Sequence, residues 1–516
     1  MRTIALFLIA VLSVDSHGQA GMLDNNFDAD GIVTTAEDFG YGYPIFYGSD
    51  VVVQLNDRIV VVGPNTINSN FAAVRYLPDG SLDPTFGNGG TVDLPIWSNN
   101  FEGGVNAVAL QPDGKIVIAG SRRQTDVREM ILYRLTTGGQ PDQFFSEDGY
   151  TGIGFDNFAE AYDLAIQADG NILVCGNSGL GGAENFALAR FFTSGNLDYS
   201  FSFDGKVELD FDGWADIAYT MALQEDGRIL VAGTTYGDSS PDLAVARFLS
   251  DGTTDPSFGI NGSVTYDLNA LSDDFAYGMV VQGDGSILIT GRAGIDPAVV
   301  KLLPDGSLDP SFNGTGIYLH QLLFATGVAR DICVQPDGKI LIGGEITSTF
   351  AGEQSRMLVL RLLASGEIDD SFGNGGGTAL DITDGPDHGK ALALQSDNKV
   401  ILCGSGNANG PIIVARFLND LGNAVPDAPI FGSPISVFPN PVGECADLRF
   451  SLGRRASLSG YLTDAVGRRV RTILYQVPYD AGMQQVPIAL DGLAAGRYQV
   501  ELVTNDGMFR TPLIKY

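Results

Sequence analysis

Histidine, cysteine and tryptophan are scarce in this 516-residue chain, which contains 3, 4 and 2 of them. No His-x-x-x-His or Cys-x-x-Cys spacing is present, so the sequence does not predict a zinc site. His17 lies in an N-terminal leader, and His320 and His388 lie in different parts of the chain. We therefore interpret these histidines as core or surface residues rather than metal ligands.

The four cysteines do not indicate a disulfide framework. Cys175, Cys333 and Cys403 lie inside apolar runs, and Cys445 stands alone near the C-terminus. A disulfide requires Cα atoms within about 7 Å of each other, and strand positions in distant repeats do not approach so closely. The sequence therefore predicts buried free thiols.

Basic residues are also scarce, because 30 lysines and arginines stand against 62 aspartates and glutamates, a formal net charge of −32. Such a surface repels nucleic-acid phosphates and anionic lipid head groups. Acidic turns such as Asp28–Asp30 and Asp204–Gly205 leave calcium open as a ligand, although none has the spacing of a complete calcium loop. No other cofactor is expected.

Long apolar runs are confined to the N-terminus. Residues 1–20 contain Arg2, an apolar stretch from Ile4 to Val14, and small residues at Gly18 and Ala20, which is the pattern of a secretory signal peptide. No later stretch is long and apolar enough to span a bilayer. The sequence thus predicts an exported protein without a transmembrane span.

Repetition is what the chain has in abundance. The segment from Gln111 to Gly120 occurs in seven versions that start 53 to 60 residues apart, which indicates an array or propeller. Most copies read as a strand, a tight turn with Asp-Gly, and a second strand. The second strand, such as Ile172–Cys175, is apolar throughout, so we expect both of its faces to be covered. The copies start at Gln54, Gln111, Gln167, Gln224, Gln282, Gln335 and Gln395.

Two further motifs recur between these copies. One is Leu-Asp-x-x-Phe or a variant, as at Leu82–Phe86, and the other is an apolar strand with a basic residue near its end, as at Arg75. Arg75 precedes Asp83 by eight positions, and we expect such residues to pair across the turn. A pair present in every copy is structural rather than catalytic, and an exposed pair contributes little energy. The basic residues are Arg75, Arg134, Arg190, Arg247, Lys301, Arg361 and Arg416.

The order of these motifs resembles the delta-60 repeat of exported bacterial proteins, over about residues 23–422. The resemblance implies a propeller-like fold, so the chain is predicted to be all-β, with a seven-bladed β-propeller at residues 21–424. Residues 32–35 should complete the last blade beside residues 412–417, which would remove exposed sheet edges. An open solenoid is the alternative, because a repeat count does not establish closure.

The repeat stops after Asn423, and residues 425–434 read as a linker. Residues 435–516 carry nine basic and seven acidic side chains, in contrast to the acidic remainder, so they form a separate module. Short strands with turns, one of them at Ala465–Gly467, predict a small Ig-like β-sandwich.

Pro439-Asn-Pro441, Gly496-x-Tyr498 and a basic chain end at Lys515 follow one another in this module. Their order resembles that of the C-terminal sorting domain (type A) of the type IX secretion system. Arg468 and Arg469 depart from the family pattern, where many members have Gly-Lys. The resemblance implies export by the type IX machinery to the outer-membrane surface or medium of a Gram-negative cell. The residues that carry the sorting motif are Pro439, Asn440, Pro441, Gly496, Tyr498 and Lys515.

The sequence contains no Gly-x-Ser-x-Gly elbow and no phosphate-binding loop with its lysine. Two loops of each repeat vary in length, and recognition is expected there because such changes leave the sheets intact. We therefore predict a secreted or surface-displayed, monomeric binding or scaffold protein with a glycan or protein ligand, and favour this over an enzyme. The alternative is a secreted polysaccharide hydrolase or lyase that uses carboxylates of the variable loops.

Overall fold

The computed structural model describes residues 19–35, 47–65, 70–95, 103–124, 127–156, 158–211, 214–237, 240–269, 272–322, 324–350, 354–407, 410–420, 431–438, 440–452, 456–464, 469–479, 482–504 and 507–516. Within these ranges every regular element is a β-strand, which confirms the all-β prediction. None of the described elements is a helix capable of crossing a membrane. The chain divides into two compact units, Met1–Asp420 and Leu421–Tyr516.

The described part of the first unit contains seven antiparallel four-stranded sheets, and six of them are formed by strands consecutive in the chain. Sheets 1 to 3 contain β2 (Asp50–Val53), β3 (Ile59–Pro64), β4 (Phe71–Tyr76) and β5 (Thr91–Leu94); β6 (Gly103–Leu110), β7 (Ile116–Gln124), β8 (Val127–Leu135) and β9 (Tyr150–Ile153); and β10 (Ala159–Ile166), β11 (Ile172–Ser178), β12 (Asn185–Phe191) and β13 (Lys206–Leu209).

The same arrangement continues through the next three sheets. Sheets 4 to 6 contain β14 (Asp216–Leu223), β15 (Ile229–Tyr236), β16 (Pro241–Phe248) and β17 (Ser263–Tyr266); β18 (Asp274–Val281), β19 (Ile287–Ala293), β20 (Asp296–Leu302) and β21 (Ile317–Leu319); and β22 (Ala325–Val334), β23 (Ile340–Ser348), β24 (Ser355–Leu362) and β25 (Gly377–Leu380).

Sheet 7 joins the two ends of the unit. It contains β26 (Asp387–Leu394), β27 (Val400–Gly406), β28 (Ile412–Phe417) and, as its outer strand, β1 (Ile32–Thr35). Ile32 lies opposite Ala415 and Thr35 lies opposite Ile412. This is the strand pairing that the sequence predicted for residues 32–35.

The hairpin between the first two strands of a sheet explains the Asp-Gly signal. In sheet 2 the backbone N–H of Gln111 donates to the Lys115 carbonyl at 2.8 Å, and Gly114 has a φ of 83°. Asp113 Oδ1 accepts from the Lys115 N–H at 3.1 Å. Glycine adopts this left-handed conformation without the steric cost that a Cβ brings, so the turn is tight and its length is fixed.

The second strand of each sheet packs between two neighbours, as its apolar run predicted. All residues of β11 are buried. Apolar side chains of adjacent sheets share cores, and the first and seventh sheets do so too, through Val61, Ile401 and Val414. The first strands of successive sheets contact each other, and β26 lies beside β2. The first strands therefore surround a common axis.

The second unit consists of two antiparallel sheets around one core. Leu448 and Phe450 of one sheet pack in this core with Leu462 and Leu502 of the other. The three-stranded sheet has the order β29 (Phe431–Phe438), β30 (Cys445–Leu452) and β33 (Gly482–Ala489), and the four-stranded sheet has the order β32 (Arg469–Tyr479), β31 (Ala456–Asp464), β34 (Gly496–Thr504) and β35 (Gly507–Lys515).

Candidate functional site

The repeated basic residues and aspartates form one buried ion pair in each sheet of the first unit. In sheet 2, Arg134 Nε donates to Asp142 Oδ2 at 2.8 Å, and the two side chains are 5% and 3% exposed. The six pairs predicted across a turn are all present. The full set is Arg75–Asp83, Arg134–Asp142, Arg190–Asp198, Arg247–Asp255, Lys301–Asp309, Arg361–Asp369 and Arg416–Asp24.

Each of the six arginine pairs belongs to a larger contact that reaches the next sheet, and we call each pair with its surroundings a clamp. The Arg134 guanidinium lies over the Phe145 ring with its Cζ 4.6 Å from the ring centroid. Its Nη1 donates to the carbonyl of Thr193, which follows the third strand of sheet 3, and to Gln111 Oε1 at 3.3 Å. The clamp therefore brings together all three repeated motifs.

The low energy of an exposed ion pair does not apply to these pairs, because they are largely buried. Asp142 is buried and also receives Lys115 Nζ at 3.2 Å. Burial raises the pKa of Asp142, but the Phe144 N–H and the charges of Lys115 and Arg134 outweigh it and leave the pKa below its usual value. Removing one partner of a buried ion pair costs about 3–5 kcal/mol, because the other charge stays buried. The clamps therefore stabilise the fold.

The seventh clamp joins the two ends of the first unit. Arg416 Nη2 lies 2.9 Å from Asp24 Oδ2, and Lys399 Nζ lies 3.4 Å from the same oxygen. The Arg416 guanidinium stacks on Phe27 with its Cζ 4.6 Å from the ring centroid. Leu23 forms a β-bridge with Phe417. The segment before β1 thus supplies the aspartate and the aromatic ring that the last repeat lacks.

The first strand of each sheet from sheet 2 to sheet 7 contains a β-bulge at the same repeat position. In sheet 3, Ala161 and Asp163 pair with the adjacent residues Gly176 and Cys175, and Tyr162 is left out of the ladder. A Cβ on Gly176 would lie only 1.7 Å from the Glu160 carbonyl oxygen. The last glycine of the repeated segment is therefore required by this close backbone approach.

The bulge residues of sheets 3 to 6 contact one another in sequence. The rings of Tyr162 and Tyr219 are 5.1 Å apart, as are those of Tyr219 and Tyr277, and Arg330 Cζ lies 4.7 Å from the Tyr277 ring. We call the seven equivalent positions the axial ring, and all are partly exposed. Its members are Ser49, Asn106, Tyr162, Tyr219, Tyr277, Arg330 and Lys390.

The axial ring lies toward the end of the sheets where the variable loops are. Ala159 at the start of β10 lies opposite Ser178 at the end of β11, so the loops entering the first strand and leaving the second share one end. Tyr162 lies close to the start of its strand. Several of these loops fall partly outside the described residues. The described geometry thus places a cluster of functional groups on the strands, at the base of the variable loops.

A carboxylate organises the charged side of the axial ring. Glu345 in β23 accepts from Arg330 Nη2 at 3.0 Å through Oε1, and its Oε2 is hydrogen-bonded to His388 Nδ1. Burial raises the pKa of Glu345, but the His388 hydrogen bond and the charges of Lys390 and Arg330 bring it down to about 2. Glu345 is therefore ionised at neutral pH and orients both the imidazole and the guanidinium.

The aromatic side of the ring presents neutral phenols. Burial, together with the neighbouring Tyr219, raises the pKa of Tyr162 to about 12. Burial likewise raises the pKa of Tyr219 and of Tyr277. The Phe275 ring stacks parallel to Tyr277 with the centroids 5.8 Å apart, and Arg292 Cζ lies 4.6 Å from the Phe275 centroid. The three tyrosine hydroxyls are protonated at neutral pH, and that of Tyr162 donates to Glu160 Oε2 at 2.5 Å.

Three aspartates next to the bulges connect adjacent sheets. Asp50, Asp163 and Asp331 accept the backbone N–H groups of Val108, Met221 and Leu392, each in the following sheet, at 2.7, 2.8 and 2.7 Å. Burial raises the pKa of Asp163 to about 7 and that of Asp331 to about 6, and it raises the pKa of Asp50 well above its usual value. Their hydrogen bonds give them a structural role.

The acidic turns named from the sequence, at Asp28–Asp30 and Asp204, are not among the described groups with metal-ligand spacing. In the described residues that spacing occurs for Asp242, Asp267 and Asp274, whose carboxylates lie within 4.8 Å of one another. Asp274 already accepts from the Leu268 N–H and the Ser272 hydroxyl. Its carboxylate therefore holds the loop between sheets 4 and 5.

The remaining sequence candidates lie apart from the axial ring. His320 Nδ1 is 2.9 Å from the Tyr318 hydroxyl, and burial lowers the His320 pKa. All four cysteines are free, as predicted. Cys175 and Cys403 are buried as expected, Cys333 is partly buried and Cys445 is exposed.

The structure brings most of the predicted sorting residues to one end of the second unit. Asn440 donates through Nδ2 to the Pro512 carbonyl at 2.8 Å and accepts from the Ile514 N–H at 2.9 Å, and Pro441 follows it on the surface. Pro439 and the turn at 465–467 lie outside the described residues. The other members make these contacts: Gly496 lies opposite Lys515, Lys515 Nζ donates to the Leu493 carbonyl at 2.6 Å, and the Tyr498 hydroxyl donates to the Ala494 carbonyl at 2.8 Å.

Sequence reasoning missed the axial ring, although a signal for it exists. Each member lies five positions before the repeated glutamine, as Tyr162 lies before Gln167 and Lys390 before Gln395. The position keeps its spacing in all seven copies while its chemistry changes from hydroxyl to amide, phenol and cation. A search for recurring residues misses this position, because its residue type is not the same in all seven repeats.

The fold and the sites can be set beside known proteins. Residues 54–86, 111–145, 167–201, 224–258, 282–312 and 335–372 match the family described as a domain of unknown function (DUF5122) beta-propeller. Each matched segment runs from the repeated glutamine to the phenylalanine of the Leu-Asp-x-x-Phe motif. No curated protein matches the chain.

Solved structures with a similar fold include two lyases and a dehydrogenase. Virginiamycin B lyase from Staphylococcus aureus is 10% identical with a TM-score of 0.46, over 75% of this chain and 99% of its own. A polysaccharide lyase is 11% identical with a TM-score of 0.40, over 73% and 91%, and a glucose dehydrogenase is 10% identical with a TM-score of 0.35, over 60% and 95%. The matched repeats and the four-stranded sheets that contain them make this chain a β-propeller repeat protein.

Proposed function

We propose that the chain is an exported, monomeric binding protein whose propeller takes its ligand at the axial ring, beneath the variable loops. One observation carries the proposal. The clamp residues are repeated around the first unit, whereas the seven axial-ring positions hold five residue types, with three phenols in sheets 3 to 5 followed by two cations in sheets 6 and 7. A side chain that folding requires in every repeat keeps its residue type. The residue type at the axial ring changes between repeats, so we infer that these side chains serve recognition.

The finer architecture belongs to the same proposal. The seven sheets are the blades of a closed seven-bladed propeller, and the second unit is an Ig-like sandwich. Closure is supported by the β1–β28 pairing, by the seventh clamp and by the core that sheets 1 and 7 share. A closed ring holds the axial ring rigidly, which favours a binding site.

A binding screen tests the proposed function. The purified protein without its leader is applied to a glycan array, with Tyr219→Leu and Tyr199→Leu variants beside it. Tyr219 belongs to the axial ring, while Tyr199 is 69% exposed in the clamp turn of sheet 3 and is the matched control. We expect Tyr219→Leu alone to lose the signal. Equal signals for both variants, or none for the wild type, would reject the axial ring as a glycan site.

A polysaccharide lyase or hydrolase is the second candidate, and His388 is the observation that favours it. Its Nδ1 is held by the ionised Glu345, an arrangement that orients an imidazole for proton transfer, and Arg330 and Tyr277 lie beside it. The same array ligands are incubated with the protein and analysed for new reducing ends. If the wild type forms product and His388→Gln does not, the protein is an enzyme. If the ligand stays intact with the wild type, the protein is a binding protein.

The second unit is proposed to be the sorting domain for type IX secretion, so that the mature protein reaches the cell surface or medium. The contacts that join Asn440, Gly496, Tyr498 and Lys515 at one end of β34 and β35 support a single recognition surface. Deleting residues 435–516 should leave the propeller folded in the periplasm, and fusing them to a signal-bearing reporter should export it. Normal external yield of the deleted protein would refute this role.

A further inference from the structure

Within the described part of the chain, Lys390 makes no direct ion pair, although Glu345 lies near enough for the two charges to act on each other. No hydrogen bond or ion pair to its Nζ occurs among the described residues, and the side chain is partly buried in the axial ring. By contrast, every repeated clamp cation has its aspartate. Burial and the charge of Arg330 lower the pKa of Lys390, and Glu345 opposes this. A partly buried ammonium whose nearby carboxylate is bonded to two other side chains is incompletely compensated, so a ligand anion would complete the site.

The groups near Lys390 do not neutralise it. Glu345 is already shared between Arg330 and His388. Asp331 follows Arg330 in β22, and its carboxylate accepts hydrogen bonds from the backbone N–H groups of Ile332 and Leu392 at 2.7 Å each. Among Lys390, Arg330 and Glu345 there are two cations and one carboxylate, and a ligand carboxylate that reaches both cations would balance these three charges.

The tyrosines next to these cations supply a surface for a sugar. Tyr162, Tyr219 and Tyr277 form a continuous row of phenol rings at 5.1 Å spacing. Aromatic faces pack against apolar C–H surface while the hydroxyls donate hydrogen bonds, which suits a ring with one apolar face and a polar rim. Arg330 lies at 4.7 Å over Tyr277, so the row leads directly to the cations.

We propose that the axial ring binds a uronate residue of a sparsely charged polysaccharide, its carboxylate at Lys390 and Arg330 and its sugar ring against Tyr219. This inference rests on the proposed binding function and names its ligand class. The net charge of −32 excludes a dense polyanion, which the rest of the surface repels, but at physiological salt that repulsion decays within about 8 Å. A single carboxylate can therefore reach Lys390 and Arg330.

The test uses a xylo-oligosaccharide that carries one glucuronate, its methyl ester and neutral xylotetraose, measured by isothermal titration with the purified protein. We expect the acid to bind at least about tenfold more tightly than the ester, the ratio for one charge-assisted hydrogen bond. Lys390→Gln should remove this preference and Lys390→Arg should restore it. Arg356→Gln is the charge-matched control, because Arg356 lies in β24, 44% exposed, and pairs with Asp381 at 3.5 Å.

Each outcome decides the inference. Equal affinity for acid and ester, no binding of the acid, or an unchanged preference in a folded Lys390→Gln protein would overturn the uronate assignment. Tyr219→Leu should weaken acid and ester by the same factor, which separates stacking from charge. Thermal melting of each variant checks folding. The proposed binding function is judged separately on the array, so a neutral glycan bound at the axial ring would retain that function and reject the uronate.

Discussion

Replacing Asp24 by asparagine tests whether the seventh clamp closes the first unit. The amide would keep the side-chain volume and the acceptor for the Asn26 N–H, which now lies 3.1 Å from Asp24 Oδ1. It would remove the charge from beneath Arg416 and Lys399. The substitution therefore isolates the ionic part of the clamp.

The expected magnitude follows from burial. Arg416 and Asp24 are 5% and 1% exposed, and breaking a buried pair costs about 3–5 kcal/mol. Arg416 keeps its hydrogen bonds to the Pro78 carbonyl and to Gln395 Oε1 and its stacking on Phe27, so we expect the lower end, about 3 kcal/mol. Lys399 is 27% exposed and screened by solvent, so its pairing adds little.

Urea denaturation followed by tryptophan fluorescence measures this loss. Both tryptophans, Trp97 and Trp214, lie in the first unit, so the signal reports that unit alone. Asp30→Asn is the control, because Asp30 is exposed and its Oδ1 caps the Ile32 N–H at 2.9 Å without an ion pair. It should change the free energy of unfolding by less than about 0.5 kcal/mol.

The pH dependence gives an independent check. Burial raises the pKa of Asp24, but the hydrogen bonds to Asn26 and the charges of Arg416 and Lys399 lower it further, so its folded pKa is depressed. A depressed pKa contributes stability that is present above the unfolded pKa of about 3.9 and lost as the pH falls. The difference between wild type and Asp24→Asn should therefore shrink below pH about 4. Equal stability at pH 7 would refute the clamp as a source of closure.

Three further predictions concern other parts of the first unit. The folded pKa of Asp163 is raised to about 7, so the stability of the wild type should fall as the pH rises from about 4 to about 7. Asp163→Asn should therefore stabilise the protein by about 1–2 kcal/mol at pH 8 and not at pH 4, measured by urea titration. Gly176→Ala places a Cβ 1.7 Å from the Glu160 carbonyl oxygen and should cost at least about 3 kcal/mol, whereas Gly283→Ala, with no atom within 4 Å, should be nearly neutral. Deleting residues 23–35 should lower the melting temperature and speed hydrogen exchange in β28, and unchanged exchange would contradict closure.

The fold was largely predictable because repetition reports constraints that every sheet shares. The turn at Asp113–Gly114, the Arg134–Asp142 pair and the return of β1 to the last sheet all follow from fixed spacings. Burial of the clamps was not predictable, because a spacing of eight residues predicts that two side chains are close but not whether solvent reaches them. The next sheet contributes to this burial, because its Thr193 carbonyl accepts a hydrogen bond from Arg134.

The site was not predictable from the same signals. Arg330 and Glu345 lie on different strands, and His388 lies in the following sheet, so their association depends on the position of each bulge. The sorting residues were found from a resemblance, and the structure supplies their contacts, such as Asn440 with the Ile514 N–H. The variable loops remain the predicted place of recognition, and the axial ring adds strand residues at their base.

The bulge explains how one position in a repeated strand became free to vary. Tyr162 is left out of the ladder, and the bulge geometry is secured by backbone pairing on either side and by the missing Cβ of Gly176. No side chain at position 162 is needed to form the bulge, so serine, tyrosine and lysine are all compatible with the equivalent position. Constraint on the glycine and freedom at the bulge are thus two results of one contact. A position with fixed spacing and changing chemistry, beside an invariant glycine, is therefore where a repeat protein of this kind can place a binding site without altering its fold.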